Sequence, residues 1–185
     1  MTQNTLSLSG WDFSYFAFLM VVGSACHFFY QLLGKPLWAG LIFPTNESTF
    51  QHLKLLLIPS VVFFIIQYFT AEMGNYGFFT SRFAGVLFGM LGTCVFFYTY
   101  TGIIGDNFLP LDIFSFAFGV GVTIFTYRIF DDSAVFDFKF SNIIGVFGFA
   151  LLIIFFGILS VYPPQIGIFF DPASNSYAPL LPDSE

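Results

Sequence analysis

Residues 143–162 read IIGVFGFALLIIFFGILSVY, inside a charge-free stretch that runs from Lys139 to Asp171. A helix rises 1.5 Å per residue, so about 20 such residues cross the ~30 Å hydrocarbon core of a bilayer. The run carries apolar groups all round, which a helix on the surface of a soluble domain does not. Working outward, the same pattern recurs between Asp12 and Lys35, Lys54 and Glu72, Arg82 and Asp106, and Asp112 and Arg128. The gaps predict helices over 13–33, 50–71, 82–103, 110–130 and 143–162. Transmembrane β-strands would be about 10 residues long with strict alternation, and no such dyad pattern is present. The expected fold class is an all-α integral membrane protein with five transmembrane helices.

Composition agrees. Of 185 residues, 57% are hydrophobic and 9% charged, against about 25% charged in soluble domains. Five Lys and Arg against eleven Asp and Glu, net −6, exclude a nucleic-acid partner, and two Cys exclude a disulfide scaffold. The expected partner is the lipid bilayer of a cell membrane; a small-molecule or protein partner is left open. Cys26 and Cys94 fall within spans as packing residues. The first 12 residues hold no Lys or Arg, unlike a secretory signal, so the first span is read as retained.

The organisation expected is one five-helix domain over 1–162 and an acidic, Pro-containing tail over 163–185, solvent-facing or disordered. If ordered, Phe169-Phe170-Asp171 would fold back over the polar mouth. Pro36 to Phe43 is apolar but too short to span, so it reads as an interfacial or re-entrant piece. Pro59 lies inside the second span and frees a carbonyl near Leu55. Five crossings put the termini on opposite sides. Arg82, Arg128 and Lys139 then share the N-terminal side against Lys35 and Lys54, which favours a cytoplasmic N-terminus. Glu72, Arg82, Arg128, Asp131, Asp132, Asp137 and Lys139 read as solvated helix ends.

The potentially reactive groups sort to the opposite side. His27, Tyr30, Asn46, Glu47, His52, Tyr100 and Asp112 form the candidate polar cluster. Gly23, Ser24, His27, Tyr30, Gln31 and Gly34 make one stripe on the first helix, and Asp112, Ser115, Gly119, Thr123 and Thr126 make one on the fourth. Gly85, Gly89 and Gly92 on the third read as a helix–helix seam. Ser48 followed by Gln51 is a capping-box pattern that starts the second span beside Glu47.

Gly23, His27, Phe28 and Tyr30, then Pro44, Asn46, Glu47, Ser48, His52 and Lys54, give the chain a resemblance. It resembles a bacterial family of small multi-pass membrane proteins of unknown function, with a Gly-x-x-x-His-Phe-x-Tyr stretch and a Pro-x-Asn-Glu-Ser-x-Trp-Glu-His-x-Lys motif. Further matches are Tyr100-Thr101-Gly102, Gly105, Asp112-Ile113, Pro163-Pro164, Phe170-Asp171-Pro172 and Tyr177. Phe50 and Gln51 stand where that motif has Trp and Glu, so a ligand or base role of that Glu does not carry over. The resemblance implies topology and the location of a site, not a biochemical role.

Three readings follow for a multi-pass membrane protein with this cluster. It is an accessory or structural protein whose polar groups tie helix ends together. Alternatively it is an ion- or proton-coupled transporter or channel component using Glu47, His52, His27 and Asp112. The third is a membrane-embedded hydrolase with a divalent metal on His27, His52 and a carboxylate, Asp112 or Glu47.

Overall fold

The computed structural model describes residues 8–133, 135–177 and 180; the outermost N-terminal residues 1–7 and the tail positions 178–179 and 181–185 lie outside the described residues. In chain order the helices are α1 (Gly10–Leu32), the six-residue α2 (Leu37–Ile42), α3 (Thr49–Glu72), α4 (Phe78–Ile104), α5 (Leu109–Ser133) and α6 (Ser141–Val161). All but α2 are long and apolar enough to cross a bilayer, so the chain is a multi-pass membrane protein with five candidate spans.

Helix boundaries differ from the hydropathy reading where local caps decide them. α1 begins at Gly10 because the Ser9 hydroxyl accepts the Asp12 N–H at 3.3 Å and the Asp12 carboxylate accepts the Ser9 N–H at 2.6 Å. This reciprocal pair satisfies two donors at the helix start. α4 begins four residues before Arg82, after the chain turns through Gly77 at φ +84°, which places Arg82 inside the helix. It stops at Gly105, φ +86°, whose N–H returns to the Thr101 carbonyl at 2.8 Å, an ending that favours glycine because other residues rarely adopt this positive φ.

Small residues let the helices meet. Gly85 and Gly89 on α4 lie against Thr123 and Gly119 on α5, and Gly92 against Val122; Gly145 on α6 lies against the Phe79 backbone. The glycine stripes are therefore packing seams. Pro59 has no N–H for the Leu55 carbonyl, and that oxygen instead faces Gly23, where an added Cβ would stand 2.9 Å from it. A π-helical turn over Leu19–Gly23 precedes this contact on α1. The core between α1, α3 and α5 is aromatic: Tyr15 stacks on Phe64 at 4.8 Å, and its hydroxyl shares a 2.7 Å hydrogen bond with Ser60.

One expectation needs correction. Arg82, Arg128 and Asp131 are not ordinary solvated helix ends. Asp12 is 3% exposed and accepts the Tyr127 hydroxyl at 2.5 Å and the Arg128 guanidinium. Arg82 is buried, donates to Asp131 at 2.5 Å, and lies over the rings of Phe78 and Tyr127 at 4.1 and 4.5 Å. These pairs join α1, α4 and α5 because charges at three helix ends converge there. The described part of the tail is ordered and largely solvent-facing, with 164–167 and 172–175 exposed, but it is pinned at Phe169. A short 3₁₀ turn over Gly167–Phe169 sets Phe169 on Phe50 at 4.3 Å, and the Leu180 N–H donates to the Ser160 carbonyl at 2.9 Å. Phe169 buries its ring against α3, so it covers Phe50 there. Cys26 and Cys94 are both free thiols.

Candidate metal centre

Three segments bring donor atoms together at the end of the bundle opposite Asp12. α1 supplies His27, four residues past Gly23. α3 supplies His52 in its first turn, and the loop from α2 supplies Glu47. The Glu47 carboxylate stands between the imidazoles, Oε1 at 3.5 Å from His27 Nε2 and Oε2 at 3.5 Å from His52 Nε2. The rings stack with centroids 5.1 Å apart, and one donor atom from each residue lies within 4.8 Å of the others.

Local hydrogen bonds orient these groups. The Ser48 hydroxyl accepts the Gln51 N–H at 3.3 Å and caps α3, while the Ser48 N–H donates to Asn46 Oδ1 at 3.0 Å. The capping box is thus half formed, since the Gln51 amide turns away to Ser160 at 3.2 Å. The Ser48 carbonyl then accepts from His52 Nδ1–H at 2.9 Å. A carbonyl only accepts, so this bond puts the proton on Nδ1 and leaves the Nε2 lone pair of the neutral ring aimed at Glu47. Metal-ligating histidines are held by the same kind of outer bond.

Distances of 3.5 Å are long for a charge-assisted hydrogen bond, which is about 2.7–2.9 Å. They run to different oxygens of Glu47, and with one donor atom per residue the group spans up to 4.8 Å, so it would have to draw in to reach the roughly 3.4 Å edge of a tetrahedron around a metal at about 2.0–2.1 Å. The side chains of His27, Glu47 and His52 are 28%, 47% and 36% exposed, so the group opens to solvent. Two imidazoles and one carboxylate are a donor set that could hold a metal ion.

The other expected residues make different contacts. Tyr30 is half-buried one turn beyond His27, and Asn46 orders the turn that carries Glu47. Of the expected ligand set His27, His52 and Asp112, the structure gathers the two imidazoles, and the carboxylate between them is Glu47. Asp112 accepts the Tyr100 hydroxyl and, at 3.4 Å, the Asn107 amide, and so fastens the turn between α4 and α5. Two neighbouring residues fall outside the expected cluster, and Lys54 reads in the sequence only as a motif residue and a loop charge. The Tyr98 hydroxyl donates to Thr49 at 3.2 Å beside the start of α3. Lys54, two residues past His52, donates to the Gly40 and Phe43 carbonyls at 2.8 and 3.3 Å. A lysine within an apolar span was the available signal for the second.

No curated protein and no solved structure matches this chain. The model of the Family of unknown function (DUF6512) matches residues 1–178, and the chain belongs to that family.

Proposed function

We propose that this is a membrane-embedded metalloprotein that binds one divalent transition metal, of the zinc type, through His27, His52 and Glu47. The observation that carries the reading is a carboxylate placed between two Nε2 atoms at 3.5 Å, with one ring already fixed by a backbone carbonyl. A metal held by three protein ligands with an open position lowers the pKa of bound water, the chemistry of metal-dependent hydrolysis. The segment Pro44 to Lys54 supplies two of the three ligands, and α1 supplies the third. Residues 163–185 are a tail appended to a five-helix domain over 1–162. The excess of Arg82, Arg128 and Lys139 at the N-terminal end puts that end in the cytoplasm, so the centre opens on the opposite side of the membrane.

The test is elemental analysis and Zn²⁺ titration of the full chain purified in detergent. The expected result is one equivalent of metal, lost in His27→Ala and His52→Ala. Binding weakens on acidification, because protons compete for the imidazole lone pairs. Wild-type protein that takes up no Zn²⁺, Co²⁺ or Mn²⁺ at neutral pH ends the reading.

A further inference from the structure

Lys54 supplies no ligand to the centre, yet it is 1% exposed inside a membrane-spanning helix. Among the described residues no carboxylate pairs with its ammonium. Burying a charge without a counter-ion is costly, and a methionine would fill similar space without that cost. The ammonium is held instead by the carbonyls of Gly40 and Phe43 at the C-terminal end of α2, where helix dipoles favour a cation.

We propose that Lys54 is a positioning residue for the metal centre: by clamping the end of α2 to α3, it sets the Glu47 carboxylate between the two imidazoles. The inference rests on the metal reading above. Lys54 and His52 sit on the same helix, two residues apart. Phe43 and Glu47 sit on the same loop, four residues apart. The bond from Lys54 Nζ to the Phe43 carbonyl closes these two arms into a short cycle. Within that cycle the chain has little slack. Pro44 fixes its own φ, and the Asn46 side chain takes the Ser48 N–H at 3.0 Å, which bends the loop across Glu47. From the outer side, Leu180 packs against Gly40, and Phe43 meets Phe29 of α1 edge-on at 5.2 Å. The loop therefore has one seat, and Lys54 ties that seat to the helix that carries His52.

A thermodynamic cycle on the full-length protein in detergent tests this, using Lys54→Met, Glu47→Ala and the double variant. Zn²⁺ affinity is read against a competing chelator, and the visible band of bound Co²⁺ reports whether a carboxylate is coordinated. Lys54→Met is expected to weaken Zn²⁺ by about 10–100-fold, the range for losing an outer support of a ligand. Its Co²⁺ spectrum should approach that of Glu47→Ala. The double variant should bind within about twofold of Glu47→Ala alone, because Lys54 acts only through Glu47. Wild-type affinity in Lys54→Met, or full additivity in the double variant, overturns the proposal. If Lys54→Met gives no folded protein, Lys54→Gln keeps one donor for the Gly40 carbonyl and is expected to show the same trend. Failure of both to fold assigns Lys54 to the fold and also overturns the proposal. Hydrogen exchange separates this inference from the metal reading. Without any metal, amides of residues 45–48 should exchange faster in the Lys54 variant while those of 56–64 stay unchanged. Unchanged exchange in 45–48 counts against the clamp whether or not wild-type protein binds metal.

Discussion

The two ends of the bundle carry similar numbers of polar side chains and use them in opposite ways. At the N-terminal end, Asp12 takes five hydrogen bonds, from the Ser9 N–H and hydroxyl, the Tyr127 hydroxyl and two Arg128 nitrogens. Arg82 and Asp131 meet at 2.5 Å, with Ser81 donating to the same carboxylate at 2.7 Å. Opposite charges pair one to one, and the distances are those of finished bonds. At the other end, the contacts of Glu47 with His27 and His52 are 3.5 Å and half exposed. Carboxylates already paired have little left with which to bind a cation, although the buried Arg82 Nε lacks a hydrogen-bond partner among the described residues. An open cluster, whose lone pairs converge without meeting, has kept that capacity.

The largest expected effect lies at the paired end. Asp12→Ala leaves the Tyr127 hydroxyl without its acceptor and the Arg128 guanidinium without its counter-ion. Losing these charge-assisted hydrogen bonds costs about 3 kcal/mol in all, because Tyr127 stays buried without an acceptor while Arg128, 29% exposed, regains water. Denaturation in detergent should show a loss of that size, with metal affinity of the remaining folded protein unchanged. A loss below about 1 kcal/mol would mean that this end is hydrated like an ordinary surface pair, and the contrast between the ends would fail.

Between the ends, Gly23 is the point where α1 leans on α3. An added Cβ would stand 2.9 Å from both the Leu55 carbonyl and the Phe116 ring. The carbonyl belongs to a backbone with no slack, so Gly23→Ala must push the helices apart, at about 1–3 kcal/mol for overpacking. His27 lies one turn further along α1. The variant should therefore lose Zn²⁺ affinity as well as stability, which Asp12→Ala should not. Equal metal affinity in Gly23→Ala and wild-type protein would show that His27 is placed by something other than this contact.

These residues also mark how far the sequence alone could be read. The five spans were legible because hydropathy over about 20 residues depends on solvent and little on neighbours. The Gly85/Gly89/Gly92 seam and the loss of a donor at Pro59 were legible because both follow from local geometry. The choice between Glu47 and Asp112 was not. Both flank helix starts on one side, and which carboxylate reaches the imidazoles depends on how the loop before α3 is folded, where the Asn46 side chain takes the Ser48 N–H. The buried state of Arg82 and Asp12 was hidden for a related reason. A charge near a helix end looks the same in sequence whether that end meets water or another helix. That Phe169-Phe170-Asp171 could fold back was legible, but its seat on Phe50 was not, because two aromatics in an irregular tail carry no period that names a partner.

The smallest effect on stability belongs to the open end, and there the sign of a ligand effect is the decisive quantity. His27 is partly exposed, and among the described residues its ion-pair contact is the long one to Glu47. His27→Ala should change unfolding free energy by no more than about 0.5 kcal/mol in metal-free buffer. Excess Zn²⁺ separates the proteins. A ligand that binds only the folded state stabilises it by RT ln(1 + [L]/Kd), about 2.7 kcal/mol at a hundred times Kd. Wild-type protein should gain that increment and His27→Ala should not, so a variant indistinguishable from wild type without metal becomes the less stable of the two with it. An accessory bundle tied by its polar groups gives the reverse pattern, a clear loss from His27→Ala without metal and no response to Zn²⁺ in either protein. The two ends would then differ only in exposure, because both would be working as fasteners.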